Sequence, residues 1–381
     1  MAMHKSKKDN DLYYYFNSKG EKRWSYRHRY YDALGNRKEK SRQGISNEKD
    51  AYRELLEVKA NILNGHKKQV EHSTLTISEW LDIWFDTHKS DWEITTRIQR
   101  DDCIKNQLKP LLGKYKLTEL DKTTYKRVFI NHLLKKYEPS SVQIFHKIFK
   151  TAINAAVEDE IIPRNRFNKI TIELNKKDDN FLTAEELKKF LTDAKRLGTI
   201  TTYTLILLLA YTGLRKGEGL GLKWKNIDFG NKTLTVERTR DNLGARTPKT
   251  KNSYRTILID EKLIAQLKVY KTWCKATMLT FGNHIQEDDF VFISYQTGKP
   301  ISENLILYTI NTIIKKTGCK QITAHGLRHT HATILIGQRI PVKVIANRLG
   351  NTPQMILDIY GHSFKDLEEE SVQAFENALG L

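Results

Sequence analysis

The chain has little that would tie it to a membrane, a disulfide framework or a metal. No apolar run in its 381 residues approaches the ~20 that a membrane-spanning helix needs. The longest, around residues 204–211, has the length of a core helix. The first residues, MAMHKSKKDNDLYYYF, are basic but lack an apolar segment followed by a small-residue cleavage site, so they do not read as a secretory signal. Cys103, Cys274 and Cys319 lie too far apart for a metal knuckle or a disulfide pattern. No metal-ligand constellation, internal repeat or low-complexity tract stands out. The expectation is a soluble protein of a reducing, cytoplasmic compartment, with no membrane partner.

What the chain has is positive charge. Lys and Arg number 64 against 45 Asp and Glu, a formal net charge of +19. Such a surplus favours a polyanionic partner, and a generally basic protein is the plain alternative. The length leaves room for two or three domains.

Three segments follow from patterning. Residues 1–65 read as a small sheet and a helix. Residues 24–30 alternate ring-bearing with polar or cationic side chains, which makes one apolar and one cationic strand face. Gly35-Asn36 supplies a turn, and residues 37–42 form a second cation-rich extended run. Arg27, Arg29, Arg37, Lys38, Lys40 and Arg42 are the candidate DNA contacts, because a basic sheet of two or three strands can enter a major groove. A solvated sheet with ordinary surface charge is the alternative. Ser46 reads as the N-cap of a helix with Ala51, Leu55, Val58 and Ile62 on one face. His66-Lys67-Lys68-Gln69 reads as a polar linker.

Residues 72–174 read as an all-α domain. Thr76 and Glu79 have capping-box spacing, and Ile77, Trp80, Leu81, Trp84 and Phe85 form a buried stripe. Ser140 opens a helix with Val142, Phe145, Phe149, Ala152 and Ala156 on one face. The polar stretch 175–180 marks the next boundary. Residues 180–381 then read as α+β and mainly helical, with a capping box at Thr183 and Glu186. Helices are expected near 184–196, 201–212 and 302–316, and strands at 232–238 and 254–259, with turn-prone Asn242, Gly244, Pro248 and Asn252 between them.

Four stretches of this third segment carry chemistry: TGLRKGEGLGLKW with Arg215, TPKTKNSYRTILID with Lys249 and Lys251, HGLRHTHAT with His325 and Arg328, and RLGNTPQMILDIYGH with Tyr360. Singly, each has a bland reading: a helix-capping arginine, an exposed turn lysine, a surface His–Arg pair, a half-buried tyrosine. Together they suit phosphoryl transfer at a diester. Two arginines can neutralise nonbridging oxygens with forked hydrogen bonds. Lysine and histidine can move protons, and tyrosine can form a covalent intermediate. Periodicity alone does not bring these residues together in space.

In order and spacing the four stretches resemble the boxes of the tyrosine recombinase family, the integrases of phages and conjugative transposons. Arg215 stands in the family's TGLRxGE context, with Glu218 three residues on. His325, Arg328, His329, Thr330 and Ala332 match H-x-x-R-H-[ST]-x-A. Leu349-Gly350-Asn351 takes the place of the L-G-H box, nine residues ahead of Tyr360. The family's P-K-T pattern points to Lys249 over Lys251. Asn351 departs from the usual histidine or tryptophan; an amide still donates a hydrogen bond but carries no proton charge, which implies a working but slower site.

The resemblance implies a multidomain fold. An arm-type DNA-binding sheet domain is followed by a SAM-like helical core-binding domain and a mainly helical catalytic domain. It implies a clamp by Arg215 and Arg328 on the scissile phosphate, assisted by His325 and Asn351. Tyr360 is the nucleophile, Lys249 the acid for the leaving 5′-oxygen, and Glu218 an orienting residue. The product is a 3′-phosphotyrosyl link that retains the diester's bond energy, so no cofactor, ATP or metal is implied. His329 and His331 read as supporting or packing residues. The implied partners are double-stranded DNA at attachment sites, an excisionase and a DNA-bending host protein. The place of action is bacterial and nucleoid-associated. Val372, Phe375 and Leu379 share one face of a tail helix, which implies docking on a neighbouring subunit in a homotetramer on DNA; folding back on its own domain is the alternative. The rivals are an Xer-type dimer-resolving recombinase, a type IB topoisomerase, and a non-catalytic DNA-binding regulator that reads 341–360 as helix-turn-helix.

Overall fold

The computed structural model describes residues 2–32, 35–175, 180–247, 251–360 and 375–379, with the backbone path alone at Lys251, Ile359 and Tyr360. The chain divides into two compact units, Met1–Lys176 and Lys177–Leu381.

The first unit opens with an antiparallel sheet of four strands in chain order, β1 (His4–Lys5), β2 (Leu12–Phe16), β3 (Lys22–Tyr31) and β4 (Arg37–Ile45). It thus has more strands than the two or three expected. Leu12, Trp24, Tyr26 and Ile45 pack on Ala51 and Leu55 of helix α1 (Glu48–Leu63). Their strand alternation turns one face toward the helix. The β3–β4 register slips between Trp24 and Tyr26, and Gly44 on the partner strand, at φ +81°, supplies the left-handed residue such a bulge uses.

Two expectations fail here. The α1 N-cap is Asn47, not Ser46: its side chain accepts the Asp50 N–H at 2.8 Å. The supposed linker at residues 66–69 is folded instead, because Lys67–Glu71 makes a short helix, α2, that buries Val70 beside α1. Helix α3 (Ile77–His88) has the expected capping box of Thr76 and Glu79, and Ile77, Trp80, Leu81 and Trp84 are buried. Its Trp80 indole donates to the Ala152 carbonyl at 2.8 Å. Helix α4 (Pro139–Glu158) starts one residue before Ser140, with Pro139 in its first turn, where the missing N–H costs nothing. Val142, Phe149, Ala152 and Ala156 line its buried face.

In the second unit, α5 (Ala184–Leu197) has the capping box of Thr183 and Glu186. Helix α6 (Ile200–Thr212) is buried on nearly all sides, as a helix with no charged residue and no polar face requires. It ends at Gly213, φ +66°. A Cβ at Gly213 would stand 2.5 Å from Leu349 Cδ2 and 2.9 Å from His331 Cδ2, so both the turn and the packing demand glycine. After the short α7 (Lys216–Leu220) comes a three-stranded sheet of β5 (Ile227–Asp228), β6 (Thr233–Val236) and β9 (Arg255–Leu258). Between β6 and β9 the chain forms an additional hairpin, β7 (Thr239–Asp241) with β8 (Gly244–Arg246), where only turns were expected. Helices α8 (Glu261–Thr280), α9 (Glu303–Thr317) and α10 (Ala324–Gly337) complete the main body.

The last two helices, α11 (Val342–Leu349) and α12 (Pro353–Tyr360), share a small core with the end of α10, formed by Ala332, Ile336, Ile345, Ala346, Leu349 and Ile356. In the tail, Phe375 and Leu379 are exposed on a helical stretch, and Val372 lies outside the described residues. No described helix is long and apolar enough to cross a membrane.

Candidate active site

The left-handed turn at Gly213 stops α6 and delivers Arg215 to the start of α7. There Glu218 grips it twice. Its Oε2 accepts the Arg215 backbone N–H at 2.9 Å, and its Oε1 accepts Nη1 at 2.8 Å. The other guanidinium arm donates from Nη2 to Asn351 Oδ1 at 2.7 Å, across 136 residues of sequence. Glu218 is only 3 % exposed. Burial would raise its carboxyl; the hydrogen bond and charge of Arg255, then the Arg215 backbone and charge, outweigh it and hold the group below its ordinary range. Glu218 is therefore an anion at neutral pH, and its charge is spent on orienting arginines.

Arg255, at the start of β9, was not singled out from the sequence. Its Nη2 donates to Glu218 Oε2 at 2.9 Å, its Nε to the Arg348 carbonyl at 2.7 Å and its Nη1 to the Ser253 carbonyl at 3.0 Å. One side chain thus ties the start of β9, the α7 carboxylate and the end of α11 together.

Arg328 lies in α10, whose N-cap Thr323 accepts the Gly326 N–H. Its side chain is buried, and Nη1 donates to the Gly213 carbonyl at 2.9 Å. Both arginines expected to clamp phosphate are thereby anchored on the same turn. His325 sits one helical turn earlier and is exposed; its ring meets that of His329 edge-on, with centroids 4.6 Å apart. His331 points the other way. Its Nδ1–H donates to the Ala210 carbonyl at 3.0 Å, and its Nε2 accepts from Arg348 Nε at 3.0 Å. Burial, and then the charge of Arg348, push its imidazole down to about 4, so it is neutral.

Asn351 follows Gly350, whose φ of +65° ends α11. Its backbone N–H donates to the Ala346 carbonyl at 2.9 Å. With its amide oxygen committed to Arg215, the amide hydrogens are what it has to offer another partner. Helix α12 starts two residues later and ends on Tyr360. The Tyr360 side chain and the whole of Lys249 lie outside the described residues. The structure therefore brings together Arg215, Glu218, Arg328 and Asn351, with His325 one turn from Arg328, and adds Arg255, Arg348 and His331. Arg215 and Arg255 outweigh the single carboxylate they share, and Arg328 adds a third cation on the adjoining turn, which makes the site a receptor for anionic oxygens. Among the described residues, no group of three or more His, Cys, Asp or Glu side chains could hold a metal ion.

The six cations nominated in the first segment do not share a face. Directly paired residues of neighbouring strands project to the same side. Arg27 pairs with Ser41, Arg29 with Glu39 and Arg37 with Tyr31, whereas Lys38, Lys40 and Arg42 stand opposite Tyr30, His28 and Tyr26 on the helix-covered side. Lys40 donates to Ser73 Oγ at 2.5 Å, and Arg42 to Glu54 of α1 at 2.8 Å. The cationic face read for residues 24–30 is present, with Arg27 and Arg29 on it and Arg37 on the same side; Lys38 and Arg42 project from the other side but remain exposed. Arg27 and Arg29 share the Glu39 carboxylate at 3.1 and 3.2 Å.

Residues 180–366 match the phage integrase family, residues 76–134 the phage integrase N-terminal SAM-like domain, and residues 4–62 the arm DNA-binding domain. The chain is 29% identical over 277 residues to the ICEBs1 integrase of Bacillus subtilis, covering 69% of this chain and 73% of that one. It is 27% identical over 350 residues to the integrase of Staphylococcus phage L54a, covering 84% and 98%. A tyrosine recombinase XerC-like protein of Caldanaerobacter subterraneus is 28% identical over 354 residues, covering 84% and 88%. Among solved structures, the Tn1549 transposon integrase in complex with transposon right end DNA superposes with a TM-score of 0.68 at 20% identity, over 81% of this chain and 100% of that one. A lambda integrase dimer bound to a COC′ core site gives 0.60 at 18% identity, over 93% and 95%.

Proposed function

The chain belongs to the phage integrase family and is a tyrosine recombinase, a site-specific integrase that cleaves and rejoins DNA; from that premise we propose which of its residues do the chemistry. Arg215 and Arg328 clamp the nonbridging oxygens of the scissile phosphate, with His325 and the Asn351 amide as further donors, so that positive groups stand where charge grows in the transition state. The Tyr360 hydroxyl attacks phosphorus in line. An unperturbed phenol, pKa about 10, is mostly protonated at neutral pH, so the arginine field and His325 assist removal of its proton. The bond from phosphorus to the 5′-oxygen breaks, Lys249 hands that oxygen a proton, and a 3′-phosphotyrosyl link remains. A 5′-hydroxyl from another strand reverses the sequence and reseals the DNA. Glu218 orients the arginines and takes no part in proton transfer.

The observation that carries this reading is the bond from Arg215 to Asn351 at 2.7 Å together with the anchoring of Arg328 on Gly213. Three stretches far apart in sequence converge, and the helix leaving Asn351 ends on Tyr360. Duplex DNA at attachment sites is the substrate, and Arg27, Arg29 and Arg37 form the distal contact. Lambda integrase has been solved as a tetramer on a Holliday junction. A homotetramer joined by the tail of residues 365–381 is the assembly proposed here, with excision calling on an excisionase and a DNA-bending protein.

A nicked duplex that traps the covalent intermediate tests the reading. Incubated with protein in EDTA, it should give a denaturation-resistant protein–DNA band that Tyr360→Phe abolishes. A DNA that binds well but never yields the band would favour the non-catalytic regulator. The XerC-like relative keeps a second reading open, dimer resolution. Deleting residues 1–65 separates the two, since an integrase then loses distal-site binding but still cleaves core sites.

A further inference from the structure

The two helices that flank Asn351, the second ending on Tyr360, are not continuous with the main apolar core of the second unit; they close a small core of their own with the end of α10. Polar ties supply much of what holds that segment in register with Arg215. Arg348, the penultimate residue of α11, has a guanidinium spread over three other elements. Nη1 donates to the Leu258 carbonyl at the end of β9 at 2.9 Å, Nη2 to the Tyr211 carbonyl near the end of α6 at 3.1 Å, and Nε to His331 Nε2 in α10 at 3.0 Å. Its own carbonyl accepts Arg255 Nε at 2.7 Å. The bonds diverge, so they fix both position and rotation of the chain at residue 348, three residues before Asn351.

We propose that Arg348 is a positioning residue for the recombination reaction, a strut that sets the turn at residues 349–351 so that Asn351 meets Arg215 and α12 leaves in the direction that serves the nucleophile. The inference rests on the catalytic reading above for its effect on rate, but not for its effect on the turn. Neutral His331 is part of the strut: with its Nδ1 proton committed to the Ala210 carbonyl, its Nε2 is an acceptor, and a protonated ring would turn that acceptor into a donor facing Arg348. Lysine cannot replace the arginine, because one ammonium cannot satisfy three acceptors spread around a planar fork.

The test compares the full-length protein with Arg348→Met, which retains apolar volume, and Arg348→Lys, which retains charge and serves if the methionine variant does not fold. Amide hydrogen exchange should speed up by about tenfold or more over residues 349–356, while α6 and α8 keep their protection. Covalent-adduct formation on a nicked duplex should slow by about 30-fold at unchanged DNA affinity, the scale expected for a misplaced catalytic group. In an Asn351→Ala background the same substitution should cost clearly less than in the wild type, because the part of the pathway that runs through Asn351 is already broken. Unchanged exchange at residues 349–356 overturns the proposal whatever the protein does to DNA. So do additive losses in the double variant, or a loss of affinity that matches the loss of rate. Wild-type protein that forms no Tyr360-dependent adduct instead sinks the catalytic reading, and the exchange data still decide the strut.

Discussion

In the candidate site of the second unit, three arginines are turned inward. Arg328 is 3 % exposed and bound to the Gly213 carbonyl, Arg255 shares the buried Glu218 with Arg215, and Arg348 reaches two carbonyls and a histidine. On the sheet of the first unit, Arg27 and Arg29 stand in solvent and divide one carboxylate, Glu39, between them. The same side chain thus does two jobs. Buried and bonded on several sides, it is held in one geometry before substrate arrives, which chemistry at a single phosphorus atom requires. Exposed on a strand, it is screened, adaptable and worth little to the fold, which suits contact with a polyanion whose affinity comes from many phosphates.

The contrast can be broken in four places. Glu218→Gln leaves Arg255 buried without its counter-ion and should cost about 3–5 kcal/mol of stability, read by denaturant unfolding. A loss under about 1 kcal/mol would place this network in the same class as surface pairs.

Acid should act on both units through buried histidines. His331, and His146 of α4, whose Nδ1 meets the Tyr125 hydroxyl at 2.9 Å, are both pushed down to about 4, by burial first and by Arg348 or Lys150 second. The unfolded chain takes up these protons near pH 6.5, before the fold does. Stability is therefore lost as pH falls from about 6.5 to about 4, by roughly 3 kcal/mol for each histidine. Glu218 has a depressed folded value, so its contribution is present above its unfolded pKa and disappears as pH falls through the folded one. Unfolding curves at stepped pH check both, and His331→Gln should flatten part of the upper limb.

Arg328→Lys keeps the charge but loses the fork, and adduct formation should drop by about a hundredfold, equivalent to about 2.7 kcal/mol, at near-normal DNA affinity. The smallest effect on the fold belongs to the sheet. Arg27→Ala with Arg29→Ala should move stability by less than about 1 kcal/mol, yet lower the salt slope of distal-site binding by about one for each phosphate that is no longer neutralised. Lys40→Ala, whose amine is bound to Ser73 on the helix-covered side, should leave that slope alone.

Local signals were the legible ones. The capping boxes at Thr76 and Thr183 depend on neighbours three residues apart, and the α3 stripe depends on helical period alone, so both appear in the fold as expected. The family boxes marked Arg215, Arg328 and Asn351 through their sequence contexts alone. What escaped depended on pairing between distant segments. Nothing local in TPKTKNSYRTILID says that Arg255 is buried against Glu218, and nothing in RLGN says that Arg348 reaches α6, α10 and β9. In the second cation-rich run the sides were not legible for a related reason: a strand period separates odd from even residues, but which parity faces the helix follows from register with the partner strand. That register put Lys40 and Arg42 on the covered side. The helix at residues 67–71 was missed because four polar residues hid a single buried anchor, Val70.

The central claim is that Tyr360 is the nucleophile served by this arginine network. Trapping the adduct on a nicked duplex, digesting it and locating the modified peptide by mass spectrometry tests it most directly. The expected product is a nucleotide 3′-phosphate carried by Tyr360, in a peptide spanning the end of α12. An adduct on any other residue, or full adduct yield from Tyr360→Phe, would contradict it.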